Sequence, residues 1–315
     1  MTRAFVFPGQ GSQAVGMGKD LAAAFPVARQ LFQEVDDALS QKLSALMFEG
    51  PEDQLTLTEN AQPALMAMSL AVVRVLETEG KLNLATSAAF VAGHSLGEYS
   101  ALAAAGTFSV ADTARLLKIR GQAMQKAVPV GVGAMAALLG AELEQAKEIA
   151  AAAINGPGDV CEAANDNGGS QVVLSGHKSA VDRAIKIAAE RGIKRAILLP
   201  VSAPFHCALM QPAADAMAEA LAKVEMKAPA LPLVANVIAS KVTDPAEIRD
   251  LLVRQVTGTV RWRESVLYMK EQGVTTLVEL GAGKVLGGLA KRIDKELTGS
   301  SIGAPADIEA FLKSL

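Results

Sequence analysis

The stretch VAGHSLGEYSALAAAG, residues 91–106, joins a short apolar run to a run of small residues through the pentapeptide GHSLG at 93–97. The apolar run predicts a buried strand, and the small residues predict a closely packed helix. A G-x-S-x-G sequence at a strand-to-helix turn is how α/β enzymes expose a nucleophilic serine. The competing interpretation is a serine that only caps the helix. The stretch therefore favours an α/β fold with Ser95 as a candidate nucleophile.

Short apolar runs alternate with helical patterns along the rest of the chain. Besides 88–93, the runs at 4–8, 231–236 and 275–280 predict buried strands. Such alternation predicts a mainly parallel sheet covered by helices on both faces. The tail after residue 298 predicts a loop and a short helix. The fold class is therefore α/β, and the serine turn adds the expectation of a large α/β-hydrolase-like domain.

One segment follows a different order. From residue 133 onward the pattern predicts strand, helix, strand, strand, helix and strand, between the flanking sequences PVGVG and PVSAP. This β-α-β-β-α-β order is typical of ferredoxin-like units. We therefore expect a large catalytic domain formed by residues 1–129 and 200–315. The inserted ferredoxin-like subdomain is expected to span residues 130–199.

Composition excludes several classes of protein. A net charge of -3 argues against a nucleic-acid-binding protein, which needs a dense basic face. The longest uncharged run, 196–214, contains three prolines and a histidine, so no membrane span is expected. The opening stretch MTRAFVFPGQGSQ has too short an apolar run for a signal peptide. Two isolated cysteines favour a reducing compartment, and a cytoplasmic location is expected.

A catalytic serine needs a base, and the chain has three histidines. His94 adjoins the serine and is expected to hydrogen-bond within the turn. His177 lies in a polar turn and is expected to be exposed. His206 lies between a proline and an apolar patch, and a buried structural histidine is the alternative there. By elimination, His206 is the candidate base for Ser95.

A hydrolase of the α/β type would place an acid between the serine and the histidine in chain order. The acids in that interval all lie in helical or polar turn patterns and not at a strand end; they are Asp112, Asp159, Asp166 and Asp182. A Ser–His dyad oriented by a backbone carbonyl fits the sequence better.

Arg115, Lys118 and Arg120 fall on one predicted helix. Their spacing favours a solvated face for all three. A buried Arg120 near the serine would instead offer a guanidinium fork to a substrate carboxylate. The spacing leaves both interpretations open.

Two glycine-rich stretches imitate nucleotide-binding motifs. GQGSQA at 9–14 follows a strand but lacks the second strand with an acidic end, and GAGKV at 281–285 lacks the Ser or Thr of a phosphate loop. No Cys/His spacing suggests a metal ligand set, so no metal site is expected.

Five stretches together resemble one family. They are FVFPGQGSQ at 5–13, GHSLGEYSAL at 93–102, IRGQAMQ at 119–125, APFHCALM at 203–210 and RQVTGTVRW at 254–262. In this order they are similar to malonyl-CoA:acyl-carrier-protein transacylases, and the resemblance runs essentially end to end. It implies transfer of malonyl from malonyl-CoA to the phosphopantetheine thiol of acyl carrier protein, in support of fatty-acid synthesis.

The resemblance also implies roles for individual residues. Ser95 would be acylated, His206 would be the general base and acid, and Arg120 would bind the free carboxylate of malonyl. The remaining implied roles are oxyanion donation by the backbone N–H groups of Gln10 and Leu96, orientation of His206 by the main-chain carbonyl of Gln255, and acyl selectivity at Phe205. The chain departs from the family pattern at Thr259, Ala282 and Cys207, none of which removes a catalytic group.

The resemblance implies no bound cofactor, and the expected partners are a coenzyme A thioester and acyl carrier protein. A monomer is expected. A basic patch for the acidic carrier protein is also expected, with candidates Lys118, Lys126, Arg191, Lys194 and Arg195. Two alternatives stay open: a serine hydrolase or thioesterase with a similar turn, and a silent domain that only docks carrier protein.

Overall fold

A six-stranded sheet forms the centre of the protein, and the serine turn lies at its carboxyl edge. The computed structural model describes residues 2–193 and 195–314. The strands are β1 Arg3–Phe7, β2 Phe90–Gly93, β3 Gly133–Leu139, β4 Cys161–Gly168, β5 Gln171–His177, β6 Arg195–Leu198, β7 Leu233–Ala235, β8 Ser240–Val242, β9 Thr276–Leu280 and β10 Thr298–Ile302. The sheet order is β10-β9-β1-β2-β7-β8, and only β7 and β8 pair antiparallel.

Helices cover both faces of this sheet. They are α1 Lys19–Ala24, α2 Pro26–Leu39, α3 Leu43–Glu49, α4 Glu52–Thr56, α5 Thr58–Glu79, α6 Leu84–Ser87, α7 Gly97–Ala104, α8 Val110–Ala127, α9 Leu143–Ala153, α10 Lys178–Glu190, α11 Gln211–Leu221, α12 Pro245–Thr257, α13 Trp262–Glu271, α14 Val285–Ile293 and α15 Pro305–Lys313, with a 3₁₀ turn at Ala208–Met210. Alternate residues of β1 enter different cores: Phe5 and Phe7 join one, Ala4 and Val6 the other. The mainly parallel α/β class is therefore confirmed.

The sequence misassigned the tail. Residues 298–302 form the edge strand β10, paired in parallel with β9, where a loop was expected. Three of its five residues are exposed and none is a large aromatic, so the strand lacks the apolar run that identifies buried strands. The amphipathic helix that follows is α15, which buries Ile308.

A second, four-stranded antiparallel sheet has the order β4-β5-β3-β6. Helices α9 and α10 pack on it around a separate apolar core that includes Leu138, Ile149 and Leu174. Its strand β4 is tied to the loop after α12, where the Val260 N–H donates to the Ala164 carbonyl over 2.8 Å. The division into residues 130–199 and the rest of the chain stays a prediction.

Among the described residues, no helix is both long enough and apolar enough to cross a bilayer.

Candidate active site

The serine turn occupies the carboxyl edge where β1, β2 and β7 end side by side. Phe7 of β1 is in register with Gly93 of β2, and Ala92 pairs with Val234 of β7. Residues that follow these strands therefore meet at one edge, which is where parallel α/β sheets place their sites. Ser95 follows β2 and Asn236 follows β7.

The glycines of the turn are required by close approaches. A Cβ at Gly93 would overlap the backbone of Gly97, and one at Gly97 would overlap the carbonyl oxygen of Phe7. A Cβ at Gly9 would lie 2.8 Å from the His94 carbonyl oxygen. Only hydrogen atoms fit at these points, so the glycines let the loop after β1 lie against the serine turn.

Ser95 and His206 form a hydrogen-bonded pair. The Oγ of Ser95 lies 2.7 Å from Nε2 of His206, and Nδ1 of His206 lies 2.9 Å from the Gln255 main-chain carbonyl. A carbonyl only accepts hydrogen bonds, so Nδ1 carries the proton and the Nε2 lone pair faces the serine. The expectation of a dyad oriented by a carbonyl matches this geometry.

Both members of the pair have left-handed backbones: φ is 54° at Ser95 and 58° at His206. For residues other than glycine this conformation costs about 1–3 kcal/mol, and it persists only where surrounding contacts enforce it. Both members of the pair therefore have a strained backbone, a conformation that four other non-glycine residues of the described chain also adopt: Ser40, Lys81, Ser170 and Ala239.

His206 is only 4% exposed. Burial and, to a lesser extent, the nearby Arg120 guanidinium lower the pKa of its imidazole to about 3. The ring is therefore neutral at neutral pH, which is the state in which it accepts a proton from Ser95.

Arg120 is buried and not part of a solvated face. Its guanidinium donates to Ser95 Oγ over 3.1 Å, to Gln255 Oε1 over 2.8 Å and to Gln62 Oε1 over 2.9 Å. Across residues 2–193 and 195–314 no carboxylate oxygen lies within 4.0 Å of its nitrogens. On the same helix, the exposed Arg115 pairs with Asp112, and the partly buried Lys118 pairs with Glu59.

Close helix packing brings Arg120 to the serine. A Cβ at Gly121 would lie 2.6 Å from the Cα of Glu59, so α8 approaches the start of α5 at a glycine. Gln62, in the first turns of α5, then reaches the guanidinium. A glycine beside the arginine was the one signal in the sequence for this burial.

A cavity of about 480 Å³ opens over the pair and is lined by, among others, Gln10, Leu96, Arg120, Phe205 and His206. Within the described residues, the backbone N–H groups of Gln10 and Leu96 have no protein acceptor. The N–H of Ser95, in contrast, donates to Asn236 Oδ1 over 2.8 Å. Both predicted oxyanion donors are thus amides that keep their N–H available, Leu96 in the serine turn and Gln10 in the loop after β1.

The other two histidines differ from expectation. The imidazole of His94 bonds outside the turn, with its Nε2 2.8 Å from Oδ1 of Asn167 on β4, although the His94 backbone carbonyl accepts from the Gly97 N–H within the turn. His177 is half-buried, and its Nδ1 accepts from the Val160 N–H over 3.1 Å. Neither contacts Ser95 Oγ.

The structure explains why GAGKV is no phosphate loop. The amide of Gly287, at the beginning of α14, donates to the buried carboxylate of Glu279 over 2.9 Å. A phosphate would need these amides free. In the described part of the chain, no group of three or more His, Cys, Asp or Glu side chains could hold a metal ion.

Sequence reasoning missed Asn236, Gln62 and the carboxyl group of Glu98 as parts of the site. Asn236 ends a predicted strand at the carboxyl edge, which was its only signal. Gln62 and Glu98 lie inside helical patterns, where polar residues are ordinarily solvent-exposed.

Fold and site together define an α/β protein with a hydrogen-bonded serine–histidine pair at the carboxyl edge of its sheet. The acyl transferase domain family matches residues 4–294. The chain belongs to this family.

Relatives with functional names cover nearly the whole chain. The malonyl CoA-acyl carrier protein transacylase of Escherichia coli (strain K12) is 48% identical over 310 residues, covering 98% of each chain. The Bacillus subtilis (strain 168) protein of that name is 44% identical over 312 residues, covering 99% of this chain and 96% of its own.

Solved structures of similarly named proteins match the whole chain. An acyl-carrier-protein-S-malonyltransferase from Bartonella henselae superposes with a TM-score of 0.96 at 58% identity, covering 100% of this chain and 99% of its own. A malonyl-transacylase in complex with a type II PKS acyl-carrier protein superposes with a TM-score of 0.95 at 43% identity, covering 100% of both chains.

Proposed function

We propose that this acyltransferase moves the malonyl group from malonyl-CoA to the phosphopantetheine thiol of acyl carrier protein and supplies fatty-acid synthesis. The intermediate is a malonyl ester of Ser95. The relatives in Escherichia coli and Bacillus subtilis carry this activity in their names. The observation that carries the proposal is the buried Arg120 guanidinium, which lies 3.1 Å from Ser95 Oγ and has no carboxylate partner in the described part of the chain.

Arg120 selects the acyl group. Its charge persists in the buried site because a guanidinium is not deprotonated in proteins. A malonyl carboxylate supplies the missing negative charge and accepts from the guanidinium fork. An acetyl group leaves the cation unpaired, and an unpaired buried charge costs about 3–5 kcal/mol. Phe205, only 9% exposed at the cavity wall, limits the room for a branched acyl chain.

The first half-reaction acylates the serine. Ser95 Oγ attacks the thioester carbonyl carbon while His206 Nε2 takes the hydroxyl proton. The backbone N–H groups of Gln10 and Leu96 donate to the oxyanion, and the positive end of α7 adds to their effect. The intermediate collapses with cleavage of the carbon–sulfur bond, and the proton on His206 passes to the sulfur of coenzyme A.

The second half-reaction uses the same groups in reverse. His206 Nε2 takes the proton of the phosphopantetheine thiol, whose sulfur attacks the ester carbonyl. The bond to Ser95 Oγ then breaks, and His206 returns the proton to the serine oxygen. Throughout, the Gln255 carbonyl accepts from Nδ1 and stabilises the imidazolium.

The finer description of the fold belongs to the same proposal. The second sheet follows a ferredoxin-like order of strands and helices, which supports an inserted subdomain at 130–199. The serine turn between β2 and α7 supports an α/β-hydrolase-like large domain, formed by residues 1–129 and 200–315. A coenzyme A thioester as donor and two free, buried cysteines support a cytoplasmic enzyme, which we take to act as a monomer.

The docking surface for acyl carrier protein stays a prediction. Among the five basic candidates, Lys118 pairs with Glu59 and Arg191 with Glu148. Lys126 and Arg195 are exposed, and Lys194 lies outside the described residues.

The test measures where labelled malonyl goes. Incubation with malonyl-CoA and carrier protein that bears phosphopantetheine should yield malonyl-carrier protein as the main product. Free malonate as the main product would support the hydrolase alternative instead. An enzyme that forms neither product would support a silent docking domain.

A further inference from the structure

Asn236 spans the serine turn with one side chain. Its Oδ1 accepts from the Ser95 N–H over 2.8 Å, and its Nδ2 donates to the Gly93 carbonyl over 2.7 Å. Both bonds join the residue after β7 to the residues on either side of His94. The asparagine is only 1% exposed, so neither bond competes with solvent.

A buried carboxyl group holds Asn236 in turn. Glu98 Oε2 accepts from the Asn236 backbone N–H over 3.0 Å and from Gln255 Nε2 over 2.9 Å. The Nε2 of Gln255 also donates to the Ser95 carbonyl over 2.9 Å. The peptide groups on both sides of Ser95 are therefore fixed by two side chains, Asn236 directly after β7 and Gln255 of α12.

We propose that Asn236 is the positioning residue for the nucleophile: it holds Ser95 in its left-handed backbone conformation and directs Oγ at His206. This inference depends on the proposed function only in that malonyl-CoA is used as the acyl donor in one of its tests. Asn236 also occupies the Ser95 N–H, which leaves the amides of Gln10 and Leu96 as the oxyanion donors.

The first test uses Asn236→Leu, which keeps the side-chain shape and removes both hydrogen bonds. Two rates are measured: acylation of Ser95 by malonyl-CoA in a single turnover, and labelling of Ser95 by a fluorophosphonate. We expect both rates to fall about a hundredfold, as for a misplaced nucleophile. Calorimetry should give the same affinity for malonyl-CoA in the Ser95→Ala variant and in the Ser95→Ala/Asn236→Leu double variant.

The matched control is Asn60→Leu. Asn60 is also buried and donates to a main-chain carbonyl, that of Gln54, over 2.9 Å, but it lines no part of the cavity. The Asn60→Leu variant should be less stable than wild type but should keep the wild-type rates of acylation and of fluorophosphonate labelling. Wild-type rates in a folded Asn236→Leu variant would overturn the proposal, as would an equal loss in the Asn60 control.

Asn236→Asp provides a second test, which does not require the protein to fold with a leucine at position 236. A protonated carboxyl has an O–H in place of the amide N–H and can make both bonds, whereas the ionised form loses the donor to Gly93. The charged groups around it are Glu98, Arg120 behind Gln255, and Arg261, whose guanidinium pairs with Glu264. Burial beside Glu98 raises the pKa of the introduced carboxyl.

The labelling rate of Asn236→Asp relative to wild type should therefore fall as pH rises through that raised pKa. A ratio that does not change with pH would overturn the positioning role. The fluorophosphonate separates this proposal from the proposed function, because it reports serine reactivity without malonyl. A wild-type enzyme that reacts with the probe but not with malonyl-CoA would refute only the proposed function.

Discussion

The guanidinium of Arg120 donates a hydrogen bond to Oγ of Ser95 over 3.1 Å, and no carboxylate oxygen of residues 2–193 and 195–314 lies within ion-pair distance of it. Gln62 and Gln255 accept from the same group through amide oxygens, which carry no charge. The protein thus holds a positive charge beside Ser95, and in the proposed function the substrate supplies the negative charge.

Arg120→Ala should change the preference between acyl donors while leaving Ser95 able to react. We expect kcat/KM for malonyl-CoA to fall about a hundredfold or more, since charge-assisted hydrogen bonds contribute about 1.5–3 kcal/mol each. The ratio of acetyl-CoA to malonyl-CoA turnover should rise. Steady-state transfer with both donors measures the change.

The matched control is Arg115→Ala, on the same helix but exposed and paired with Asp112. It should leave both donors unaffected. An unchanged donor preference in Arg120→Ala would contradict the assignment of the substrate carboxylate to this residue.

The pH dependence of acylation should reflect the buried state of His206. Burial and the Arg120 guanidinium lower the pKa of the imidazole to about 3, so the base remains neutral far below its usual range. The single-turnover rate should therefore stay level from pH 8 down to about pH 5, with no loss near the ordinary histidine pKa of about 6.5. A half-maximal rate near that ordinary value that is still present in a His177→Ala control would refute a neutral buried base.

Gly97→Ala should damage the fold at the turn. A Cβ there would overlap the Phe7 carbonyl, so β1 and α7 must move apart. We expect a loss of about 2 kcal/mol or more in the free energy of unfolding by urea, as for other overpacked sites. Gly288→Ala, in α14 with no atom within 4 Å of its Cβ, should be neutral or stabilising. Equal effects of the two substitutions would contradict the close-approach argument.

Glu98→Gln should reveal the ionisation of a buried carboxyl. Burial raises the pKa of Glu98 from 4.5 to about 7. The folded state thus binds this proton more tightly than the unfolded chain does. The stability this confers is present below pH 4.5 and lost as pH rises to about 7.

The variant should therefore gain stability relative to wild type over that pH range, by up to about 3 kcal/mol. Urea unfolding at several pH values measures the difference. Glu59→Gln should show the opposite sign at neutral pH, because the Gln122 hydrogen bond and Lys118 lower the pKa of Glu59. A pH-independent difference for Glu98→Gln would refute the shift.

The fold was largely predictable because its central strands are buried on both faces. The runs at 4–8, 88–93, 231–236 and 275–280 correspond to β1, β2, β7 and β9. Such strands are apolar at most positions, with Glu279 of β9 as a buried exception, so the pattern is visible in the sequence. The strands β8 and β10 lie at the edges of the sheet, have exposed residues and were not recognised.

The site was predictable where backbone chemistry demands particular residues. Ser95 was visible because the turn needs glycines around it, and His206 because the chain has so few histidines. Arg120 was not, since its burial depends on how α8 packs against α5. Asn236 acts through bonds to residues some 140 positions away, which no local pattern encodes.

The central claim is that Ser95 carries a malonyl ester that a thiol, not water, removes. Its most direct measurement is mass spectrometry of the enzyme after malonyl-CoA, followed by addition of carrier protein with or without phosphopantetheine. We predict an adduct on the peptide containing Ser95 that persists in buffer and with the carrier protein lacking the thiol, and disappears within seconds when the thiol is present. An adduct lost equally fast in all three conditions, or formed equally well by Ser95→Ala, would contradict the account.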